Sequence, residues 1–276
     1  MTVLFALSGA VFYGLSDFVG GLTSRRTSPW SVALVAAVTG ACLVLVAALV
    51  SGGEPTTGHL AWGVAGGVGN GFGTAFLYRG LASGRMGVVA PISGVGAALV
   101  PVAVGVLSGE RPAALVWLGV AAALPGIWLV SQETATDLPH ARRGVLDGVL
   151  AGLGFGSLFA ALGQIPDSAG LLPLAVNQGV AALVVATVAV CLRKPWVPRE
   201  RVAALGMVCG GLGAAATVAF LLAAQHGSLA VAAILASLYP AVTVLLAAAL
   251  LKEHIHRGQA VGLALCAAAV TCVAAG

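Results

Sequence analysis

Long uninterrupted apolar stretches alternate along this chain with short segments that are charged or rich in Pro and Gly. Each stretch has about 18 to 24 residues, the length that a helix needs to cross roughly 30 Å of hydrocarbon at 1.5 Å per residue. The stretches are continuously apolar instead of alternating, which indicates helices and argues against a membrane β-barrel. The pattern predicts ten spans, at about residues 2–24, 30–51, 59–79, 86–108, 113–131, 144–164, 169–192, 202–225, 228–251 and 258–275.

Composition strengthens this interpretation. Hydrophobic residues make up 59% of the chain and charged residues 8%, whereas soluble domains carry about 25% charged residues. We therefore expect an all-α integral membrane protein whose residues 1–276 form a single transmembrane domain. The first span lacks a basic leader region and carries Asp17, so we interpret it as helix one and not as a cleaved signal peptide.

Two glycines and a glutamate recur with the same spacing in the two halves of the chain. The second set follows the first by a constant 143 residues, and the pairs are Gly84 and Gly227, Glu110 and Glu253, and Gly119 and Gly262. The recurrence predicts a duplication, with repeat one at 1–132 and repeat two at 143–276. Because each repeat holds five spans, an odd number, the second would enter the membrane inverted relative to the first.

The distribution of Lys and Arg supports the inverted arrangement. Twelve of the thirteen lie in the loops after odd-numbered spans, and Arg111 is the exception. The bias changes sign between the repeats, because loop one is basic where its counterpart, loop six, is acidic. The positive-inside rule then places the odd loops in the cytoplasm and both termini outside. We expect a multi-pass protein of the cytoplasmic membrane.

Several features together resemble those of a known family. They are Tyr78 near the end of span three, a small apolar span four, a Glu just after spans four and nine, and a Gly in each following span. They are similar to those of the ten-helix EamA-type carriers of the drug/metabolite transporter superfamily. That pattern also has a proline inside spans four and nine. Pro240 fits it in repeat two, whereas the counterpart in repeat one is Ala97, between Pro91 and Pro101.

The resemblance implies a carrier or facilitator that moves small organic solutes by alternating access around a central cavity, with no bound cofactor. Amino acids or related metabolites are the expected substrates and export the expected direction. Multidrug efflux is the alternative within transport, and a non-transporting membrane protein remains a further one. A membrane-embedded enzyme is disfavoured, because the spans contain no HExxH motif, no deep histidine and one deep carboxylate. Membrane lipids are expected partners, protons are candidates, and neither nucleic acid nor a metal site is expected.

Asp17 is the first candidate for a functional residue. A carboxylate inside a membrane span is costly and usually functional. Tyr13 lies one turn earlier on the same helix face. We interpret Asp17 as a proton or cation site facing a central cavity; the alternatives are a partner for a helix-end arginine or a position in a water-filled vestibule. The equivalent position in repeat two is Ala160, so a symmetric carboxylate pair is absent.

A second polar row lies on span three, where Asn70, Thr74 and Tyr78 follow one another at i,i+4 spacing. It would line the cavity and bind substrate, or it would serve as interhelical hydrogen bonding. Asn177 and Gln178 are adjacent, so only one of them is expected to face the interior. The weaker candidates are Ser93, Thr217, Tyr239 and Thr243.

Small residues and helix ends account for the remaining expectations. Glycine pairs at 67 and 71, 69 and 73, and 152 and 156 predict faces that let helices approach closely. Pro91 and Pro240 are expected to loosen spans four and nine. Glu110 and Glu253 are interpreted as structural or gate-associated, with Arg111, Lys252 or exposed loop backbone as their partners.

Overall fold

The computed structural model describes residues 1–83, 86–131, 138–251 and 256–275. Their membrane-spanning segments are all α-helical, and eleven α-helices make up ten segments because the ninth is divided in two. The helices are α1 (Thr2–Ser24), α2 (Pro29–Ser51), α3 (Thr57–Ser83), α4 (Met86–Leu107), α5 (Ala114–Ser131), α6 (Leu138–Leu162), α7 (Leu172–Cys191), α8 (Gly206–Gln225), α9 (Leu229–Ala236), α10 (Tyr239–Leu251) and α11 (Arg257–Ala275).

The ten predicted spans are confirmed, with differences at their ends. Helix α3 continues to Ser83, past the predicted end at residue 79, and α6 begins at Leu138 instead of 144. Arg79 therefore lies within a helix and not in a loop. Its charge is accommodated there by an ion pair with Asp147 of α6. Gly84, Arg85, Lys252 and Glu253, which entered the repeat and charge patterns, lie outside the described residues.

Six segments among the described residues are long and apolar enough to cross a membrane by themselves; they are Thr2–Ser24, Pro29–Ser51, Arg143–Leu162, Leu172–Cys191, Arg201–Gln225 and Leu229–Leu251. Shorter apolar stretches lie within α4, α5 and α11. Helix α3 is in neither group, because its many glycines and its polar row lower its hydropathy. Its place in the membrane depends on the helices that cover it.

The ninth segment is interrupted at Ser237 and Leu238. Pro240 follows directly and has no N–H to donate to the carbonyl of Ala236, so the regular helical ladder cannot continue there. The backbone uses a tighter turn instead, in which Ala241 N donates to Leu238 O at 2.9 Å. This confirms the expectation that Pro240 loosens span nine. In contrast, α4 continues through Pro91 and Pro101 without interruption.

Helix pairing follows the two inverted five-helix repeats. The packing of α1 against α8 is repeated in the other half by α6 against α3. In the same way, the packing of α2 against α8 is repeated by α7 against α3. Pairs that the symmetry maps onto themselves, α2 with α7 and α5 with α11, also pack together. The first three helices of each repeat therefore pack around a common interior.

Glycine brings α3 close to two neighbours at once. A Cβ built on Gly69 would lie 2.5 Å from the carbonyl oxygen of Gly154 in α6, and one on Gly71 would lie 2.8 Å from the carbonyl oxygen of Ala181 in α7. Both distances are shorter than any side chain allows. The predicted small-residue faces on α3 are thus confirmed as packing faces, one against α6 and one against α7.

Replacing Gly154 with Ala is expected to destabilise the protein. The new Cβ would meet Gly73 N at 2.5 Å and Gly69 O at 2.6 Å, so α3 and α6 must separate, at a cost of about 1–3 kcal/mol. The matched control is Gly179→Ala, because a Cβ on Gly179 meets nothing within 4 Å. Thermal unfolding in detergent should show a lower midpoint for Gly154→Ala alone; equal midpoints would contradict the packing argument.

Candidate functional site

A cavity of about 50 Å³ lies in the middle of the molecule, between the two repeats. Helices α1, α2 and α3 of repeat one and α6, α7 and α8 of repeat two all contribute to its wall. Its lining residues are Tyr13, Ser16, Asp17, Ala36, Ala37, Asn70, Thr74, Tyr78, Phe155, Gln178, Cys209, Gly210, Gly213, Ala214 and Thr217. Seven of the eleven residues predicted as candidates are in this set, and four are not.

Asp17 lies on the cavity wall with 5% of its surface exposed. Its Oδ2 atom is buried and has no hydrogen-bond partner among the described residues. Arg79, the nearby helix-end arginine, forms its ion pair with Asp147. The cavity thus presents one carboxylate, and the equivalent residue in repeat two, Ala160, does not line it. An unpartnered carboxylate at this depth is costly, which points to a ligand or a proton.

Hydroxyl groups around Asp17 connect α1 to α8 and α3. Tyr13 donates a hydrogen bond to Thr217 Oγ1 at 3.0 Å. One turn further along α1, Ser16 donates to the carbonyl oxygen of Cys209 at 3.1 Å. The hydroxyls of Ser16 and Tyr78 lie 3.4 Å apart. These contacts hold the helix face that carries Asp17 toward the cavity.

The polar row on α3 connects to α7. Asn70 Nδ2 donates to Asn177 Oδ1 and to Gln178 Oε1, each at 3.0 Å, and Thr74 Oγ1 donates to Asn70 Oδ1 at 3.3 Å. Gln178 lines the cavity and Asn177 does not, but both are buried and both face α3, whereas the sequence predicts only one of them in the interior. Asn70 therefore both lines the cavity and joins the two repeats by its hydrogen bonds to α7.

Ser93, Tyr239 and Thr243 lie outside the cavity wall. The Ser93 hydroxyl is hydrogen-bonded to the Tyr239 hydroxyl, and Thr243 Oγ1 is close enough to donate to Gly14 O at 3.3 Å or to Tyr239 O at 3.2 Å. The Tyr239 ring packs edge-on against Phe155 at 6.3 Å between centroids. These groups form a layer outside the cavity wall, where α4 and α10 pack together.

Eight residues of the wall are not among the predicted candidates; five are Ala or Gly, and the other three are Ser16, Phe155 and Cys209. Ser16 directly precedes Asp17, and its hydroxyl anchors α1 to α8. Phe155 lines the cavity from α6, and Cys209 lies beside Tyr78. Cys209 is buried, with 1% of its surface exposed. Nothing in its sequence context distinguishes it from the other cysteines.

A second and much larger cavity, of about 1030 Å³, opens beside the odd loops. We call it the vestibule. It lies close to the central cavity, since Tyr78 lines one and its neighbour Arg79 the other. Six cations and two carboxylates are among its described lining residues; they are Arg25, Arg26, Arg79, Arg143, Lys194 and Arg199, with Asp147 and Glu200.

Arg79 and Asp147 form the inner rim of the vestibule. Arg79 Nε donates to Asp147 Oδ1 at 3.0 Å, and the Arg79 guanidinium lies 4.4 Å from the centre of the Phe76 ring, in cation–π contact. The exposed fractions are 29% for Arg79 and 4% for Asp147. The sequence predicts Asp17 as the single deep carboxylate. Asp147 is a second buried carboxylate, and its partner is Arg79 of the other repeat.

The opposite end, beside the even loops, is closed by contacts between the repeats. Glu54 N donates to Ser168 O at 2.8 Å, and Thr2 Oγ1 donates to His226 O at 2.9 Å. The Glu110 carboxylate contacts the first turn of α9. The described residues therefore form a molecule that is wide at the odd-loop end and sealed at the even-loop end.

Comparison with known proteins agrees with this architecture. The family model described as the EamA-like transporter family matches residues 1–132 and 142–275. One solved structure, whose title reads only "Crystal structure of protein", has a similar fold. The TM-score is 0.70 and the sequence identity is 17%, over 98% of this chain and 95% of that chain. That likeness supports the fold alone. No curated protein matches the chain.

Breaking the rim ion pair from one side is expected to destabilise the protein. Arg79→Gln leaves the buried Asp147 carboxylate unpaired, at a cost of about 3 kcal/mol. Adding Asp147→Asn removes the uncompensated charge and should restore most of that loss. A double-mutant cycle of unfolding free energies measures both effects. Arg143→Gln, on an exposed vestibule arginine, is the control and should change stability by less than about 0.5 kcal/mol. A double variant no more stable than Arg79→Gln would contradict the argument.

Proposed function

Since this chain belongs to the EamA-like transporter family, we propose that it is a carrier that moves amino acids or related small metabolites across the membrane by alternating access. One observation carries the proposal. A polar cavity containing the unpartnered carboxylate of Asp17 lies between two inverted repeats, beside an open vestibule at one end and sealed contacts at the other.

Inverted repeats supply the mechanism for alternation. Two similar halves in opposite orientation can exchange conformations, so the end that is open in one state is closed in the other. The central cavity is bounded by three helices of each repeat. Rocking of one repeat against the other would therefore expose the same polar groups first to one side and then to the other.

The charges along the path favour a zwitterionic solute. The cations of the vestibule create a positive potential that attracts a carboxylate and repels an organic cation. Deeper in, Asp17 offers a negative partner for an ammonium group, and Tyr78 and Gln178 offer polar groups to neutral atoms. An amino acid carries both required charges. A lipophilic drug cation would meet repulsion at the vestibule, which makes multidrug efflux the weaker candidate.

The orientation follows from the same charges. Arg26 and Arg199 both line the vestibule, and the positive-inside rule places such loops in the cytoplasm. The vestibule would then load solute from the cytoplasm, in keeping with export. Asp17 is our candidate for proton coupling, because its Oδ2 has no hydrogen-bond partner in the described part of the chain and the carboxylate would exchange a proton for an ammonium group.

Transport in proteoliposomes tests the function. We expect counterflow of at least one amino acid from a mixed pool to exceed that of protein-free vesicles by roughly tenfold, while tetraphenylphosphonium, a lipophilic cation, is not transported. Transport of that cation without any amino acid would replace the proposal with multidrug efflux. Counterflow of neither class would contradict a carrier for organic solutes of these kinds.

Asp17→Asn tests the role of the carboxylate. The amide keeps the size of the side chain but can neither bind an ammonium ion nor release a proton, so transport driven by a proton gradient should fall by about tenfold or more. The thermal midpoint should change little, because Asp17 Oδ2 makes no hydrogen bond that the substitution would remove. Unchanged flux with an unchanged pH dependence would leave Asp17 a structural residue.

Single cysteines at Arg26 and Arg199 test the orientation. In a background without other cysteines, a membrane-impermeant maleimide added to intact cells should label neither position and should label both after the membrane is permeabilised. A cysteine in place of Glu54, in an even loop, is the control and should react in intact cells. Labelling of either vestibule position from outside would reverse the topology.

A further inference from the structure

Glu110 follows α4 in the chain but docks onto a helix of the other repeat. Its carboxylate accepts hydrogen bonds from Ser228 Oγ at 2.8 Å, Leu229 N at 3.0 Å and Ala230 N at 3.3 Å. These groups belong to the first turn of α9, about 120 residues away in the sequence. The sequence predicts Arg111 or exposed loop backbone as the partner of Glu110. In the structure the Glu110 carboxylate binds backbone N–H groups at the start of α9.

The loop that carries Glu110 is shaped for this contact. Gly109 has a φ of +97°, which favours glycine, and Glu110 N donates to Gly105 O at 2.9 Å. The side chain then folds over Gly105, where a Cβ would lie 2.8 Å from Glu110 Oε2. Two glycines therefore allow one carboxylate to leave its own helix end and reach another.

The hydrogen bonds from the start of α9 to the Glu110 carboxylate are charge-assisted and therefore strong. The first N–H groups of a helix have no partner within it, and the helix dipole adds partial positive charge at that end. A carboxylate supplies the missing acceptors, and charge-assisted hydrogen bonds are roughly twice as strong as neutral ones. Two backbone N–H groups and one hydroxyl are satisfied at once by Glu110.

The contact between Glu110 and α9 lies where the two repeats meet. It joins the two repeats at the even-loop end, which is sealed, while the vestibule at the odd-loop end is open. A movement of repeat one away from repeat two at this end would pull the connection between α4 and α5 off the start of α9. We propose that Glu110 is a latch whose bonds to α9 stabilise the state open at the vestibule and break in the opposite state. This inference rests on the proposed alternating access.

Cys209 provides a native reporter for the test, because it lines the central cavity. The other four cysteines are replaced by alanine, and a membrane-impermeant methanethiosulfonate reagent is applied separately to each face of sealed, oriented vesicles. The labelling rate of Cys209 from a face then reports how often the cavity opens to that face. The probe is the reagent alone, so no substrate needs to be known.

Glu110→Gln is the principal variant. It removes the charge and one of the two acceptor oxygens, so the labelling rate from the even-loop face should rise by about tenfold while the rate from the odd-loop face falls. Ser228→Ala removes one of the three bonds and should shift both rates in the same directions by less. Arg111→Gln alters the neighbouring charge without touching the latch, and should leave both rates unchanged.

The outcomes separate the latch from a merely structural cap. Rates that rise from both faces in Glu110→Gln would mean general loosening, and rates that stay unchanged would mean that the contact does not control opening; either result overturns the latch. Counterflow measured in the same vesicles tests the carrier independently. Transport by the parent protein with unchanged labelling in Glu110→Gln would remove the latch and leave the carrier.

Discussion

Close backbone packing through glycine is the constraint on which the interior of this protein depends. Lipid tails are as apolar as leucine, so helices in a bilayer gain little from burying apolar surface and must gain from van der Waals contact and hydrogen bonds. Helix α3 shows the result. With Gly69 against α6 and Gly71 against α7, its polar row has one direction left to face. Asn70 and Tyr78 reach the cavity because the glycine faces fix the rotation of their helix.

The fold is symmetric, but its chemistry is not. The pairing of helices repeats between the halves, whereas Asp17 corresponds to Ala160 and the interrupted ninth segment corresponds to the continuous α4. A duplication supplies two bodies of similar helix pairing. Differences at single positions give repeat one the carboxylate of Asp17 on the cavity wall and repeat two the interrupted segment at α9 and α10, outside that wall. The halves share their architecture and differ in the polar chemistry that they bring to the cavity.

The bilayer explains why much of this was predictable. Span length and hydropathy are set by membrane thickness, so ten spans could be located from the sequence, and helical spacing placed Asn70, Thr74 and Tyr78 on one face. What could not be predicted were the pairings across the repeats. Asp147 looks like a residue near a helix start until Arg79 is seen beside it, and Glu110 finds its partner about 120 residues away. Such contacts depend on how two halves dock, which no local pattern records.

The size of the central cavity has a physical consequence for the surrounding membrane. Its volume of about 50 Å³ lies between the shares of one and of two water molecules in the liquid, at about 30 Å³ each, whereas small-molecule sites usually measure about 300 Å³ or more. On the proposed function, a solute of the usual size would have to push α1, α3 and α8 apart and enlarge the cross-section of the protein. Work would then be done against the lateral pressure of the lipid, so bilayer composition and tension would become terms in the energy of each loading step.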